Sequence, residues 1–172
     1  NRENGTAAAL LHLLGDLPDE TVVTRIMKEI EPGTPPTVRR AALGAMMSAL
    51  PQAPGRRREA AIEKLLACLH EEDEEGVIRP TLRALKSVEV PERLSPRLQE
   101  LIEAPSAAAR AYALSELGRF GGAESVDTLV EQLVKGSAPV RAAARDALAN
   151  APEAASAIAK ATLEVSESAR LE

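Results

Sequence analysis

The feature that most constrains this sequence is a short motif that recurs along most of its length. An arginine is followed three residues later by an alanine or a leucine at four places, and the last three arginines, Arg79, Arg110 and Arg141, stand 31 residues apart. Arg39 precedes Arg79 by 40 residues, and the excess falls in residues 56–76. A near-constant period of this length is typical of a stacked array of repeats rather than of one globular domain.

Each repeat has the pattern of a pair of helices. Alanine and leucine dominate the apolar positions, Trp is absent, and Tyr and Phe occur once each, so helix formers prevail over strand formers. The sequence therefore predicts an all-α fold, a single α-solenoid over residues 1–170 made of about five antiparallel helix pairs. We expect the pairs at about residues 5–31, 36–70, 76–104, 106–136 and 138–166, and we interpret residues 171–172 as a cloning scar.

Local signals predict how the first pair is built. A helix is expected from about Thr6 to Leu14, with Leu10, Leu11 and Leu14 on one face. Gly15 is expected to end the first helix as a C-terminal glycine, and Asp19 to cap the next helix.

Later segments carry their own signals. The first helix of the third pair should start at or just before Pro80, because the residue before a proline resists helical geometry. In the fourth pair we expect the first helix to end at Leu117, before a GRFGG loop. The acidic run Glu71–Glu75 is predicted to be a mobile, solvated linker. The four motif arginines are predicted to pair with carboxylates of neighbouring repeats.

Three segments carry a resemblance to a known family. PPTVRRAALGAMMSAL, PSAAARAYALSELGRFGGAESVDTLVEQLV and APVRAAARDALANAPEA resemble HEAT repeats, of the short type also found in phycobilisome-lyase-like proteins. The resemblance is best in residues 105–150 and weakest in residues 76–104. It implies a right-handed superhelix in which the second helix of each pair lines the concave side. It also implies a non-enzymatic scaffold that binds a protein or peptide along that side.

Charge and composition narrow the partners and the compartment. The formal net charge of −5 argues against a nucleic-acid coat and against a polybasic membrane surface. One cysteine cannot form an internal disulfide, and no apolar run is as long as a membrane span. We therefore expect a cytoplasmic protein, although a start at Asn1 indicates a trimmed N-terminus. Alanine with arginine in place of lysine suggests a bacterial source, and we expect a monomer or a segment of a longer array.

Side chains that flank the core positions of the second helices are the candidate binding residues. In a helix they lie about 100° from the adjacent core residue and so border the buried stripe. The predicted partner-binding residues are Arg25, Lys64, Arg93, Arg97 and Gln132. Aligned across the stack, they predict a groove that is basic in its middle, and hence an acidic protein or peptide partner.

A second candidate surface is the run Arg56, Arg57 and Arg58 at the start of a helix. Cations are mildly unfavourable there, so the run suggests an anion-binding patch. It supports an alternative function, binding of nucleic acid or another polyanion, as in the HEAT-like alkylpurine DNA glycosylases. Scarce aromatic residues and the acidic net charge count against that alternative.

A third interpretation is an accessory lyase or a metal enzyme. HEAT-like hydroxylases carry several repeated His-Glu pairs that bind iron, whereas here only His70-Glu71 matches and His12 lies far away in the array. Cys68 lacks a nearby histidine on its own helical face, so it is read as a small, half-buried hydrophobe. The sequence predicts no catalytic residue, no cofactor and no metal ligand.

Overall fold

A computed structural model describes residues 2–151 apart from 16, 18, 19, 32 and 73, together with residues 154 and 159. Within these residues every regular element is helical, with nine α-helices and two short 3-10 turns. The helices are α1 (Arg2–Gly15), α2 (Glu20–Lys28), α3 (Pro36–Ala49), α4 (Gly55–Glu71), α5 (Glu75–Leu85), α6 (Ser95–Leu101), α7 (Ala107–Phe120), α8 (Ala123–Lys135) and α9 (Ala138–Asn150). The 3-10 turns are Leu50–Gln52 and Glu92–Leu94. The predicted all-α class is confirmed.

The helices alternate along the chain between two roles. We call α1, α3, α5, α7 and α9 the first helices and α2, α4, α6 and α8 the second helices of their pairs. The second helix expected over residues 152–165 lies outside the described residues, apart from 154 and 159, and so does the expected cap Asp19.

The chain divides into two compact units, Asn1–Arg97 and Leu98–Glu172, with the boundary inside α6. In the first unit α1 packs on α3 and α3 packs on α5, while α2 packs on α4. In the second unit α9 packs on both α7 and α8. Helices of the same role thus lie beside one another within each unit. A single array over residues 1–170 stays a prediction.

The core of each unit consists of aliphatic side chains from both kinds of helix. In the first unit Ile26, Met46 and Leu65 are fully buried, and in the second unit Leu114 and Leu129 are fully buried. Burial of such side chains supplies most of the driving force for stacking, because an isolated helix of this length is marginal in water.

The predicted leucine face of α1 is only partly covered by the core. Leu11 is buried, Leu14 is half-buried, and Leu10 is 55% exposed. Gly15 does end α1, but it does not adopt a positive φ. A Cβ built on it would lie 2.7 Å from the Ala45 carbonyl oxygen, so close packing of α1 on α3 is what requires glycine.

Pro80 lies inside α5, which begins five residues earlier at Glu75, so the predicted start at Pro80 is wrong. Val77 and Ile78, in the turn before the proline, are buried. Their burial stabilises helical geometry that the local preference of the pre-proline residue opposes.

In the second unit α7 continues past Leu117 to Phe120, so the expected GRFGG loop is only its last two glycines. Gly121 and Gly122 have φ angles of 71° and 86°, which glycine adopts without steric cost.

The acidic run is helical at both of its ends. α4 extends through Glu71 and α5 starts at Glu75, and the Glu72 side chain is only 12% exposed because it pairs with Arg39. The prediction of a solvated linker is therefore wrong for Glu72, and Asp73 lies outside the described residues. The excess over the repeat period lies instead in the 17-residue α4 and its preceding 3-10 turn.

Candidate functional site

The motif arginines form a recurring structural contact. The guanidinium groups of Arg39, Arg110 and Arg141 donate hydrogen bonds to carbonyl oxygens that follow the preceding second helix. The acceptors are the Ile30 oxygen at 2.9 Å, the Ala104 oxygen at 2.6 Å and the Gly136 oxygen at 2.9 Å, respectively. Carbonyls at the end of a helix lack intrahelical donors, so each arginine satisfies one of them and fixes the turn into the next pair.

This finding corrects the predicted pairing with carboxylates of neighbouring repeats. Arg79 pairs with Glu75 one turn earlier on its own helix. In the described part of the chain, Arg39 is the only motif arginine that pairs with a carboxylate distant in the sequence, since its Nη2 lies 2.9 Å from Glu72 Oε2. The motif arginines are therefore mainly structural donors to backbone carbonyls.

Long-range ion pairs occur instead along the second helices. Lys64 Nζ of α4 lies 2.6 Å from Glu31 Oε1, just beyond α2. Arg97 Nε of α6 lies 3.5 Å from Glu63 Oε1 of α4, and Arg93, in the turn before α6, pairs with Glu59 of α4. Arg93 and Arg97 thus contact carboxylates of α4, and Lys64 contacts a carboxylate just after the end of α2. We call these three contacts the ion-pair ladder.

The ion pairs change the electrostatics of the predicted groove. The hydrogen bond and positive charge of Lys64 lower the pKa of the Glu31 carboxyl, so this carboxylate stays ionised opposite the cation. Lys64, Arg93 and Arg97 each have a carboxylate beside them, so the middle of the groove is charge-balanced. These pairs are largely solvent-exposed, so water and dissolved salt screen the attraction within each pair.

A cleft of about 460 Å³ opens beside α2 in the first unit, and we call it the α2 cleft. Its lining includes the apolar side chains of Leu14 and Leu17 and the cationic side chains of Arg25, Lys28 and Arg57. Arg25 also lies 3.8 Å from Glu29 on its own helix, and its side chain is largely exposed. Two residues predicted for different sites, Arg25 and Arg57, are therefore brought to one cleft.

The predicted anion patch separates into three environments. Arg56 is exposed, and Arg57 lines the α2 cleft. Arg58 donates hydrogen bonds to the Pro51 carbonyl oxygen at 2.9 Å and to the Ala53 carbonyl oxygen at 2.9 and 3.1 Å. Arg58 therefore holds the turn before α4, as the motif arginines do elsewhere.

Gln132 lies in the second unit on α8 and lines a smaller cleft of about 220 Å³ with Ile102, Arg110 and Gly136. One turn earlier on the same helix, the Thr128 hydroxyl donates to Gln99 Oε1 at 3.3 Å. The second helices α6 and α8 are thus linked by a neutral hydrogen bond.

The side chains weighed for chemistry lie apart from one another. His70 is exposed at the end of α4, and His12 is exposed on α1 with its ring over Gly44. Cys68 is half-buried in a cleft of about 400 Å³ and accepts a hydrogen bond from Arg39 Nη2 at 3.3 Å. Burial raises the pKa of its thiol, and the nearby Arg39 opposes that shift only in part.

The described residues contain no group of three His, Cys, Asp or Glu side chains that could hold a metal ion. None of the helices in this part of the chain has the length and hydropathy of a membrane span.

The sequence did not predict the carboxylates that pair with Lys64, Arg93 and Arg97 in the ion-pair ladder. Glu31 precedes Lys64 by 33 residues, and Glu59 and Glu63 precede Arg93 and Arg97 by 34. Opposite charges at about one repeat length would have pointed to these pairs, since equivalent positions of stacked repeats are neighbours.

Comparison with known proteins agrees with the helix-pair architecture. Residues 91–167 match the family model for HEAT repeats, which confirms the predicted resemblance to this family over that range. HEAT repeats commonly act as protein-interaction scaffolds and are generally not enzymes. No curated protein sequence matches this one.

Proposed function

We propose that this HEAT-repeat chain is a non-enzymatic scaffold that binds a protein or peptide along its second helices, with the α2 cleft as the principal contact in the first unit. The observation that carries the proposal is the convergence there of three cations on an exposed apolar surface. Leu17 is about half exposed beside Arg25, Lys28 and Arg57. A cleft with an apolar wall and cationic rim suits an acidic segment that also carries an apolar side chain.

The ion-pair ladder supports this choice over the middle of the groove. A partner carboxylate that approached Arg93 or Arg97 would have to displace Glu59 or Glu63, so the net gain from contact would be small. The ladder residues Lys64, Arg93 and Arg97 therefore join the interface as a charge-balanced rim. Gln132 is proposed as a separate contact within the second unit, where it lines the smaller cleft beside α8.

The test begins with a pull-down that uses the whole chain as bait, followed by affinity measurements on the captured partner. We expect the double variant Lys28→Gln, Arg57→Gln to weaken binding about fivefold or more, and added salt to weaken it further. Arg79→Gln, on a first helix and outside the cleft, is the matched control. Binding that survives the double variant and does not respond to salt would refute the α2 cleft as the principal contact.

The ladder needs a separate variant, because reversing Arg93 and Arg97 to Glu would also place like charges beside Glu59 and Glu63. We therefore use Arg93→Gln, Arg97→Gln, which removes the positive charges and adds no negative ones. A smaller effect on affinity than that of the α2-cleft variant is expected. A salt-dependent mobility shift with labelled duplex DNA would favour the polyanion alternative instead.

A further inference from the structure

A second cleft lies on the opposite kind of helix in the first unit. It measures about 420 Å³ and is formed by α1, α3 and α5, so we call it the first-helix cleft. Its lining includes His12 of α1, Arg40, Gly44 and Met47 of α3, and Pro80 and Arg83 of α5. None of these residues belongs to the second-helix surface proposed above.

The cleft carries uncompensated positive charge. Arg40 and Arg83 approach it from adjacent helices, both are exposed, and in the described part of the chain neither makes an ion pair. The described residues that line the cleft include no carboxylate. Arg39 and Arg79, the neighbouring arginines on the same two helices, are both paired with glutamates, so they do not share the unpaired state of Arg40 and Arg83.

The floor of the cleft is small and apolar. Ala41 is buried there, and Gly44 leaves room for the His12 ring, whose Cε1 lies 3.1 Å from where a Cβ on Gly44 would be. Met47 is 39% exposed, which is unusual for a large apolar side chain in this chain, and Pro80 lies on the far wall. The cleft therefore offers an apolar contact surface between two guanidinium groups.

We propose that the first-helix cleft is a separate docking site for an acidic peptide segment of a protein partner. Two carboxylates of the segment contact Arg40 and Arg83, which can form bidentate hydrogen bonds with them, and an apolar side chain packs on Met47 and Pro80. Nucleic acid fits less well, because the described lining has no Phe, Tyr or Trp side chain to stack a base and the chain's net charge is −5.

The test uses the full chain labelled with ¹⁵N and a synthetic hexapeptide of sequence EELLEE, with QQLLQQ as the neutral control peptide. We expect EELLEE to shift the amide resonances of Ala41, Gly44 and Met47 and QQLLQQ to shift them far less. The variant Arg40→Gln, Arg83→Gln should weaken EELLEE binding at these resonances by about tenfold. Arg79→Gln is the control, since it lies on α5 beside the cleft residues but does not line the cleft.

The outcomes separate this site from the α2 cleft. Shifts confined to residues 14–28, abolished by Lys28→Gln, Arg57→Gln, would overturn the first-helix cleft and leave the proposed function standing. Absence of EELLEE shifts at Ala41 and Gly44, or equal shifts with QQLLQQ, would overturn it as well. A single-stranded DNA 12-mer that binds at these resonances more tightly than EELLEE would replace the peptide with a nucleic acid. Unchanged thermal unfolding of the Arg40, Arg83 variant excludes misfolding as the cause of lost binding.

Discussion

Gly118 of α7 packs directly against Ala147 of α9, so closely that a Cβ built on the glycine would lie 2.7 Å from the alanine Cβ. The same relationship joins Gly15 of α1 to Ala45 of α3 in the other unit. Each glycine is the residue after a leucine near the end of a first helix, so the two contacts occupy equivalent repeat positions. At both positions neighbouring first helices approach so closely that only a residue without a side chain fits between them.

The close contact predicts an unusual cost for a small substitution. Gly118→Ala should destabilise the protein by about 1–2 kcal/mol, because the overlap with Ala147 outweighs the better helix propensity of alanine. Gly5→Ala is the matched control, since a Cβ at Gly5 in α1 meets nothing within 4 Å and alanine should stabilise by about 0.5–1 kcal/mol there. Urea unfolding measures both, and equal effects at the two glycines would contradict the packing argument.

Arg39 should contribute more to the free energy of unfolding than an exposed arginine does. It donates to the Ile30 carbonyl and to Cys68, and it pairs with the largely buried Glu72. Arg39→Gln should cost about 2–3 kcal/mol, since it leaves a carboxylate and a helix-end carbonyl poorly satisfied. Arg40→Gln, next in the sequence but exposed, should change the free energy of unfolding by less than about 0.5 kcal/mol. Similar losses for both variants in chemical denaturation would show that the Arg39 contacts contribute little.

The buried side chain of Tyr112 offers a site for a stabilising substitution. Tyr112 is 5% exposed, and its hydroxyl is buried without a hydrogen-bond partner among the described residues. Tyr112→Phe removes the unsatisfied group while keeping the ring, so it should raise the free energy of unfolding by up to about 1 kcal/mol. Calorimetry on the pair of proteins measures the difference, and a clear loss of stability in the variant would mean that the hydroxyl has a partner.

The same tyrosine predicts a pH dependence. Burial raises the pKa of the Tyr112 hydroxyl above the value of about 10 expected in the unfolded chain. The folded state therefore favours the protonated form, and this contribution is fully present below about pH 10 and is lost as the pH rises toward the folded pKa. Wild type should lose stability above about pH 10 more steeply than Tyr112→Phe. Parallel pH profiles of thermal unfolding would contradict the assignment.

The buried leucines of the second unit test whether helix stacking holds the fold together. Leu114 of α7 and Leu129 of α8 are both fully buried, so Leu114→Ala and Leu129→Ala should each cost about 2–5 kcal/mol. Val134→Ala, on α8 but 70% exposed, should change stability by less than about 0.5 kcal/mol. A loss below about 0.5 kcal/mol at both leucines would rule out the inward faces described for this unit.

The helical class and the approximate repeat length follow from the sequence alone. The reason is that these depend on local quantities, namely helix propensity and the 3.6-residue spacing of apolar side chains. Gly121 and Gly122 separate α7 from α8 as expected, because glycine acts on the backbone where it stands. Leu114 and Leu129 lie on the apolar stripes of their helices, so their burial agrees with the spacing of apolar residues in the sequence.

The contacts of the charged side chains, in contrast, depend on how the helices approach one another in the folded chain. Arg39 and Arg79 share one motif position, yet one caps a helix end and binds Glu72 while the other pairs on its own helix. A long arginine can reach many acceptors, and small differences in helix approach select among them. Pro80 is helical because burial of Val77 and Ile78 outweighs the local preference of the residue before a proline. Leu10 is exposed because the packing of α1 turns this side chain away from the core.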